Sequence, residues 1–208
     1  PTEITSDGDL SNVYSTQNQT VVHMPIRGTS IEDISGATVF TMPPQGQRIS
    51  GQNAGVRLGA WGEGPSGLGT EIIEQLSPGT RPLQTGGGYG VDSIGGKINT
   101  ENKTIPAFEI KTTDTGNRQP VDKPKPLPER VNDWVNEAAN TGMISGQRVS
   151  AADRAYARGL QNLLREGYTI QPYVVEVAVP PQGQSARPTV TVVPWPVPKG
   201  LPRPGTAP

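Results

Sequence analysis

The chain has 208 residues, of which 26 are Gly and 22 Pro; only 32% are apolar and 5% aromatic, and 18 Lys and Arg against 19 Asp and Glu leave a formal charge of −1. So little apolar surface set against a backbone ordering cost of roughly 1–2 kcal/mol per residue argues against one large enzyme-like core, and the balanced charge gives no global basic footprint for nucleic acid. The absence of Cys excludes disulfides, thiolate metal sites and cysteine nucleophiles, and the single histidine, His23, excludes multi-histidine zinc centres.

Residues 1–45 alternate short β-like runs with turn residues; 19–24 (QTVVHM) and 37–42 (ATVFTM), the latter closed by Pro43 and Pro44, read as short strands. His23 lies in the first of these as a strand or interface histidine. Over 46–96 there are 15 Gly with only brief apolar stretches between them, which predicts mostly loop and no regular element longer than about five residues. Residues 103–111 (KTIPAFEIK) read as a strand, with Pro106 favouring an edge position, and the prolines at 120, 124, 126 and 128 make a stiff linker of polyproline II character.

Residues 128–167 differ from their surroundings. Pro128 and Glu129 suit a first helical turn, and Val131, Trp134, Val135 and Ala138 recur at i, i+3, i+4, i+7, which predicts an amphipathic helix stopping near Gly142. Ser150 with Asp153 gives an N-cap for a second helix over about 151–165, with Ala152, Tyr156, Leu160, Leu163 and Leu164 on one stripe and Gly167 beyond its end. The two stripes imply a helical hairpin whose core is Val131, Trp134, Val135, Ala138, Tyr156, Leu160, Leu163 and Leu164. Residues 173–179 (YVVEVAV) and 189–193 (TVTVV) follow as a strand pair joined by a long loop, and 194–208 as a proline-rich extended tail. The fold expected is α+β: a small mixed body with a helical hairpin and short strands, and long Gly/Pro-rich extended arms. Its divisions are 1–117 (Gly-rich short strands and arm), 118–128 (linker), 129–193 (hairpin and two-stranded body) and 194–208 (tail).

The segment carrying Val131, Asn132, Asp133, Trp134 and Val135, then Ala138, Ala139, Gly142, Val149, Ser150, Ala155, Gly159, Leu160, Leu163, Leu164 and Gly167, resembles helix–loop–helix modules in structural proteins of tailed bacteriophages. The resemblance covers residues 131–167 alone and departs after Gly167, where such modules often carry another large apolar residue and this chain has Tyr168, Thr169 and Ile170. It implies a virion component without catalytic residues.

Motifs of other chemistries fall short of what those chemistries need. Residues 90–97 (GVDSIGGK) miss the spacing of a phosphate-binding loop by one residue, and Ile98 stands where Ser or Thr is required; 62–70 has similarly spaced glycines and no lysine. Asp7, Asp9 and Asn12 lack the spacing of a calcium loop. Glu129, Asp133 and Glu137 form a row expected to be a solvated helix face, and Glu71, Glu74 and Asp92 are the carboxylates that a loop-built hydrolase would use. The expectation is no catalytic, cofactor or metal site. In its place the sequence suggests partner-binding residues, Trp61 and Trp195 as aromatic anchors with Val22, Phe40 and Tyr173, and the runs 21–24 and 37–42 as strands that would add to partner sheet edges. No window of about 18 apolar residues spans a bilayer, and the polar, acidic first residues read as a soluble, unprocessed chain. The function expected is a non-enzymatic structural protein of a phage particle, an accessory capsid, collar or tail component cementing other virion proteins in many symmetric copies. The alternative is a receptor-binding or translocation region of a secreted bacteriocin-like toxin.

Overall fold

The computed structural model describes residues 2–6, 10–16, 19–23, 29–42, 67–180 and 187–205, the first three stretches as backbone only. The class is mixed α and β, and the chain divides into two compact units: 1–76 with 110–119 and 174–208, and 77–109 with 120–173. The units interleave along the sequence, so the linear divisions at 117, 128 and 193 do not hold. The reason is two ten-residue strands, β7 (Thr104–Thr113) and β10 (Thr169–Ala178), each of which gives residues to both units.

In the first unit the hydrogen-bonded order is β1 (Thr2–Ser6), β2 (Leu10–Thr16), β3 (Gln19–His23), β4 (Ala37–Thr41), β11 (Thr189–Pro194), then residues 174–178 of β10 and 110–113 of β7. β1, β2 and β3 form an antiparallel meander, β3 runs parallel to β4, and β11 pairs β4 antiparallel. Between β3 and β4 the chain makes a single 3-10 turn (Ile31–Asp33) closed by reciprocal capping: the Ser30 amide donates to Asp33 Oδ2 at 2.8 Å, and the Ser30 hydroxyl accepts from the Glu32 amide at 3.4 Å. On β4, Ala37, Thr38, Val39 and Phe40 are buried in succession, as are Val190 to Val193 on β11. Uninterrupted burial means that both faces are covered, which is why these runs read as β-branched and apolar without alternation.

A helix, α1 (Leu68–Leu76), packs against β11 and buries Leu68, Ile72, Ile73 and Leu76. It overturns the expectation that 46–96 holds no regular element beyond about five residues. The spacing i, i+4, i+5, i+8 is helical, but the glycine count around it obscures the signal. Residues 43–66, where the Gly-rich arm was expected, lie outside the described residues, and Trp61 with them.

In the second unit the order is residues 169–173 of β10, 104–109 of β7, β6 (Gly90–Gly95) and β5 (Thr80–Gln84). β7 therefore has a neighbour on each side and is not the edge strand that Pro106 suggested; its ladder to β6 pairs Ala107 and Phe108, just past the proline. The β5–β6 hairpin turns through glycine, and Gly90 (φ +130) is obligatory: a Cβ there would lie 2.1 Å from the Leu83 carbonyl oxygen.

The helical hairpin follows the sequence at its ends and departs from it at its seam. α2 (Leu127–Thr141) starts one residue before Pro128 and stops at Gly142, left-handed at φ +73, whose amide donates to Ala138 O; α3 (Ala151–Arg165) is capped by the Ser150 hydroxyl accepting from the Asp153 amide at 3.0 Å. A minute β8–β9 ladder (Met143–Ile144 with Gln147–Arg148) closes the turn between them. Val131, Val135, Ala138 and Leu160 are buried as expected, with Ala139 and Ala157. Tyr156, Leu163 and Leu164 are only half-buried, Ala152 is exposed, and Trp134 is half-buried beneath the Arg130 guanidinium, 4.9 Å from its ring centroid. The seam is partly polar: buried Gln161 donates from Nε2 to Asn136 Oδ1 at 3.0 Å and Asn140 Oδ1 at 3.1 Å. An amide whose NH2 group is held by two partners takes a core position that an apolar stripe cannot reveal. Leu160→Ala is accordingly expected to cost about 2–5 kcal/mol by urea unfolding and Leu163→Ala less than half of that, because only the former leaves a fully enclosed cavity.

Candidate functional site

The first unit contains a site built on one arginine and the extended segment 201–205. Glu176, on β10, is 2% exposed, a position where a lone carboxylate would be strongly disfavoured. Arg118 supplies its partner in a bidentate pair, Nε to Oε2 at 2.6 Å and Nη2 to Oε1 at 3.0 Å. Two further donors of the guanidinium reach back to the chain: Nη1 to the Leu201 carbonyl at 3.3 Å and Nη2 to the Pro202 carbonyl at 2.9 Å. The fork geometry of arginine is what permits both tasks, since a lysine could not hold a carboxylate edge-on and two carbonyls together.

The segment lies over a recess whose other walls are Ala37 and Val39 of β4, Thr191 of β11 and Arg118. Its fit depends on small residues. Gly205 (φ +82) sits where a Cβ would come 2.8 Å from the Ala178 Cβ, and a Cβ on Gly116 (φ +71) would lie 3.2 Å from the Pro204 carbonyl oxygen. Pro204 is buried, while Pro202, Arg203 and Gly205 are exposed. No side chain of Leu201 or Pro202 accepts these bonds; their main chain does.

The second unit repeats the device on the stiff linker. Arg130, on α2, donates from Nη1 to the carbonyls of Val121 and Lys123, at 2.5 and 3.0 Å, and its Nη2 stands 3.6 Å from Oε1 of buried Glu109 on β7. The Leu127 amide, at the start of α2, is met by Asp122 Oδ1 at 2.8 Å. Elsewhere in this unit Arg81 donates to Asp153 Oδ1 at 2.6 Å and lies over the Tyr156 ring, 4.8 Å from its centroid, while the Tyr156 hydroxyl donates to the Ile94 carbonyl at 2.8 Å. Burial raises the Tyr156 phenol above its ordinary value, and the Arg81 charge opposes that rise.

The residues singled out from sequence are placed as follows. Phe40 is fully buried, and Tyr173 is buried against Phe108 in a stack with centroids 5.5 Å apart. Both pack in the interior of this chain, where the sequence suggested partner-binding positions. Val22 lies on β3, and the runs 21–24 and 37–42 were expected to extend partner sheets; β3 and β4 each have neighbours on both sides, so neither has a free ladder to offer. Trp195 is half-buried just beyond β11. Residues 90–97 are β6 and its exit turn, with the Lys97 amide donating to Ser77 Oγ at 2.8 Å and not open to a phosphate. Asp92 accepts from Gln84 Nε2 at 2.6 Å, and Glu71 and Glu74 are exposed on α1. In the acidic row Glu129 is exposed, Asp133 pairs with Lys125 at 2.7 Å, and Glu137 accepts from the Ser145 amide at 3.1 Å. Asp7 and Asp9 lie outside the described residues; His23 and Asn12 are described as backbone only. Among the described residues no group of three or more His, Asp or Glu is placed to hold a metal ion, and no helix is long and apolar enough to cross a membrane.

Comparison with protein-family models, with curated proteins and with solved structures finds no match. The geometry alone thus carries the functional argument.

Two outcomes follow. Arg118→Ala strands the Glu176 carboxylate and is expected to cost about 3–5 kcal/mol in urea unfolding, whereas Arg118→Met combined with Glu176→Leu removes both charges and costs far less. For Tyr156 the raised value means that, above its ordinary 10.0, the folded chain keeps a proton which the unfolded chain has lost. Its contribution is therefore present below that pH and is lost as pH rises through the folded value. Tyr156→Phe should flatten the fall in urea midpoint as pH rises above about 10 relative to the parent chain.

Proposed function

We propose that the protein is a non-enzymatic structural component of a protein assembly, in which sheet edges and extended segments join neighbouring subunits. The observation that carries this reading is the docking of 201–205 through main-chain carbonyls on Arg118, a device for fixing an extended chain onto a sheet. The paired charges favour the same reading: Arg118 with Glu176, Arg130 with Glu109 and Arg81 with Asp153 each neutralise one another and hold the chain in place. A phage particle, with the protein as an accessory capsid, collar or tail component among other virion proteins, is the setting suggested by the resemblance of residues 131–167.

The contact expected from the backbone is β-augmentation at β1. It terminates the strand order, so one row of its N–H and C=O groups faces no neighbour among the described residues. The opposite terminal strand, β5, is protected by Pro82 and by a register shift between Arg81 and Leu83. Successive N–H groups of a strand point to opposite edges, so of Glu3→Pro and Ile4→Pro one removes an outward donor and the other a donor to β2. Sedimentation velocity from about 1 to 200 µM is expected to show association of the full chain, weakened about tenfold or more by the outward variant with its circular dichroism unchanged. A chain that stays single throughout that range, alone and insensitive to either substitution, would count against self-assembly through this edge and against the reading built on it.

A further inference from the structure

Segment 201–205 and its recess form a lock and key carried on one polypeptide, and the connection between them is the weak point. β11 ends at Pro194 and itself lines the recess through Thr191, so residues 195–200 must turn the chain back onto the strand it has just left. Four of those six residues, Pro196, Pro198, Lys199 and Gly200, are exposed, and at Gly200 (φ +85) the space where a Cβ would stand is open. Prolines at 196 and 198 restrict the turn while favouring an extended path. Extended, six residues reach roughly 20 Å, enough to leave one copy's recess for an adjoining one. The recess recognises main-chain carbonyls and a glycine, features that an identical segment from another copy supplies without change.

We infer that residues 201–205 are an exchangeable arm, which in an assembly leaves its own recess and takes the same place, on Arg118 and against Ala178, in a second copy of this chain. The inference rests on the assembly reading above but not on the β1 edge. Exchange of an identical element is a low-cost route to association because every bond broken in one copy is re-made in the other. The hinge straightens, and no new interface chemistry is required.

Two full-length variants separate lock from key. Gly205→Val keeps the recess and spoils the arm, since the added side chain collides with Ala178. Arg118→Met with Glu176→Leu keeps the arm and spoils the recess. The second chain is isotope-labelled, and the amide resonances of Leu201, Arg203 and Gly205 are followed while the unlabelled first chain is added up to several hundred µM. Saturable movement of these resonances toward their positions in the parent protein is expected, together with no movement when the added chain carries the spoiled recess. Resonances that stay at the released positions would overturn the exchange and leave 201–205 as a clip serving its own chain only. Should the double variant not fold, Ala178→Leu, which fills the space beneath Gly205 and leaves the ion pair intact, takes its place under the same criteria. Because the readout is the arm itself, association through β1 neither mimics nor hides the result.

Discussion

A chain with 22 prolines has 22 fewer backbone donors than acceptors, and the structure is organised by how that deficit is met. Among the described residues, the proline-containing stretches 120–128 and 201–205 present carbonyls that are met by side chains. Arginine is the side chain with the most donors, five in a fixed fork and no acceptor, and it appears where these carbonyls gather. Arg118 serves Leu201 and Pro202, and Arg130 serves Val121 and Lys123. The same solution closes the last turn of α2, where Arg154 Nη2 donates to the Asn140 carbonyl at 2.9 Å and Arg158 Nε to the Ala139 carbonyl at 3.3 Å. A helix C-terminus and a proline-rich strap pose one physical problem, orphan carbonyls, and receive one answer.

Two of these arginines have carboxylates behind them. A guanidinium drawn into a partly dry site by carbonyls alone would lack a counter-charge, and Glu176 and Glu109, on internal strands of the sheet, supply it. The pairs contribute little net stability over an apolar substitute, yet they help fix where each strap lies: Glu176, held bidentately, orients the Arg118 fork that meets the carbonyls, and Glu109 places a counter-charge 3.6 Å from the Arg130 guanidinium. Position, more than energy, is what the ion pairs provide. The glycines act in the same sense: Gly205 and Gly116 set how near the 201–205 segment can approach, leaving contact surfaces that only a main chain can fill.

Much of this fold was legible in the sequence. Both helices of the hairpin declared themselves through caps as well as periodicity, Pro128, Gly142 and Ser150 marking ends that the structure places within a residue or two. The strands β3, β4, β7, β10 and β11 were visible as β-branched runs. What stayed hidden has identifiable causes. Helix α1 was masked by the glycines around it, although Leu68, Ile72, Ile73 and Leu76 have helical spacing. The hairpin seam was misread because Gln161 is buried by virtue of two asparagine partners on the opposite helix, and those partners are known only once the helices are paired. The strap sites were invisible for the same reason: Arg118 and Glu176 stand 58 residues apart, and a charged residue in an extended stretch ordinarily reads as solvated surface.

The aromatic residues show the converse error. Phe40 and Tyr173 were expected to meet a partner, and each is buried within this chain instead. The count of 32% apolar residues understates the core, since Thr38, Thr112, Thr113 and Thr191 occupy buried strand positions and their β-branched carbon frames pack there much as valine does. Long strands buried on both faces, such as β7 and β10, enclose each large side chain between layers, so fewer apolar residues suffice for a closed interior. Composition therefore misjudged where this protein spends its hydrophobic residues: they build the sheet, and the sheet in turn is the surface on which the arginines fix the extended chain.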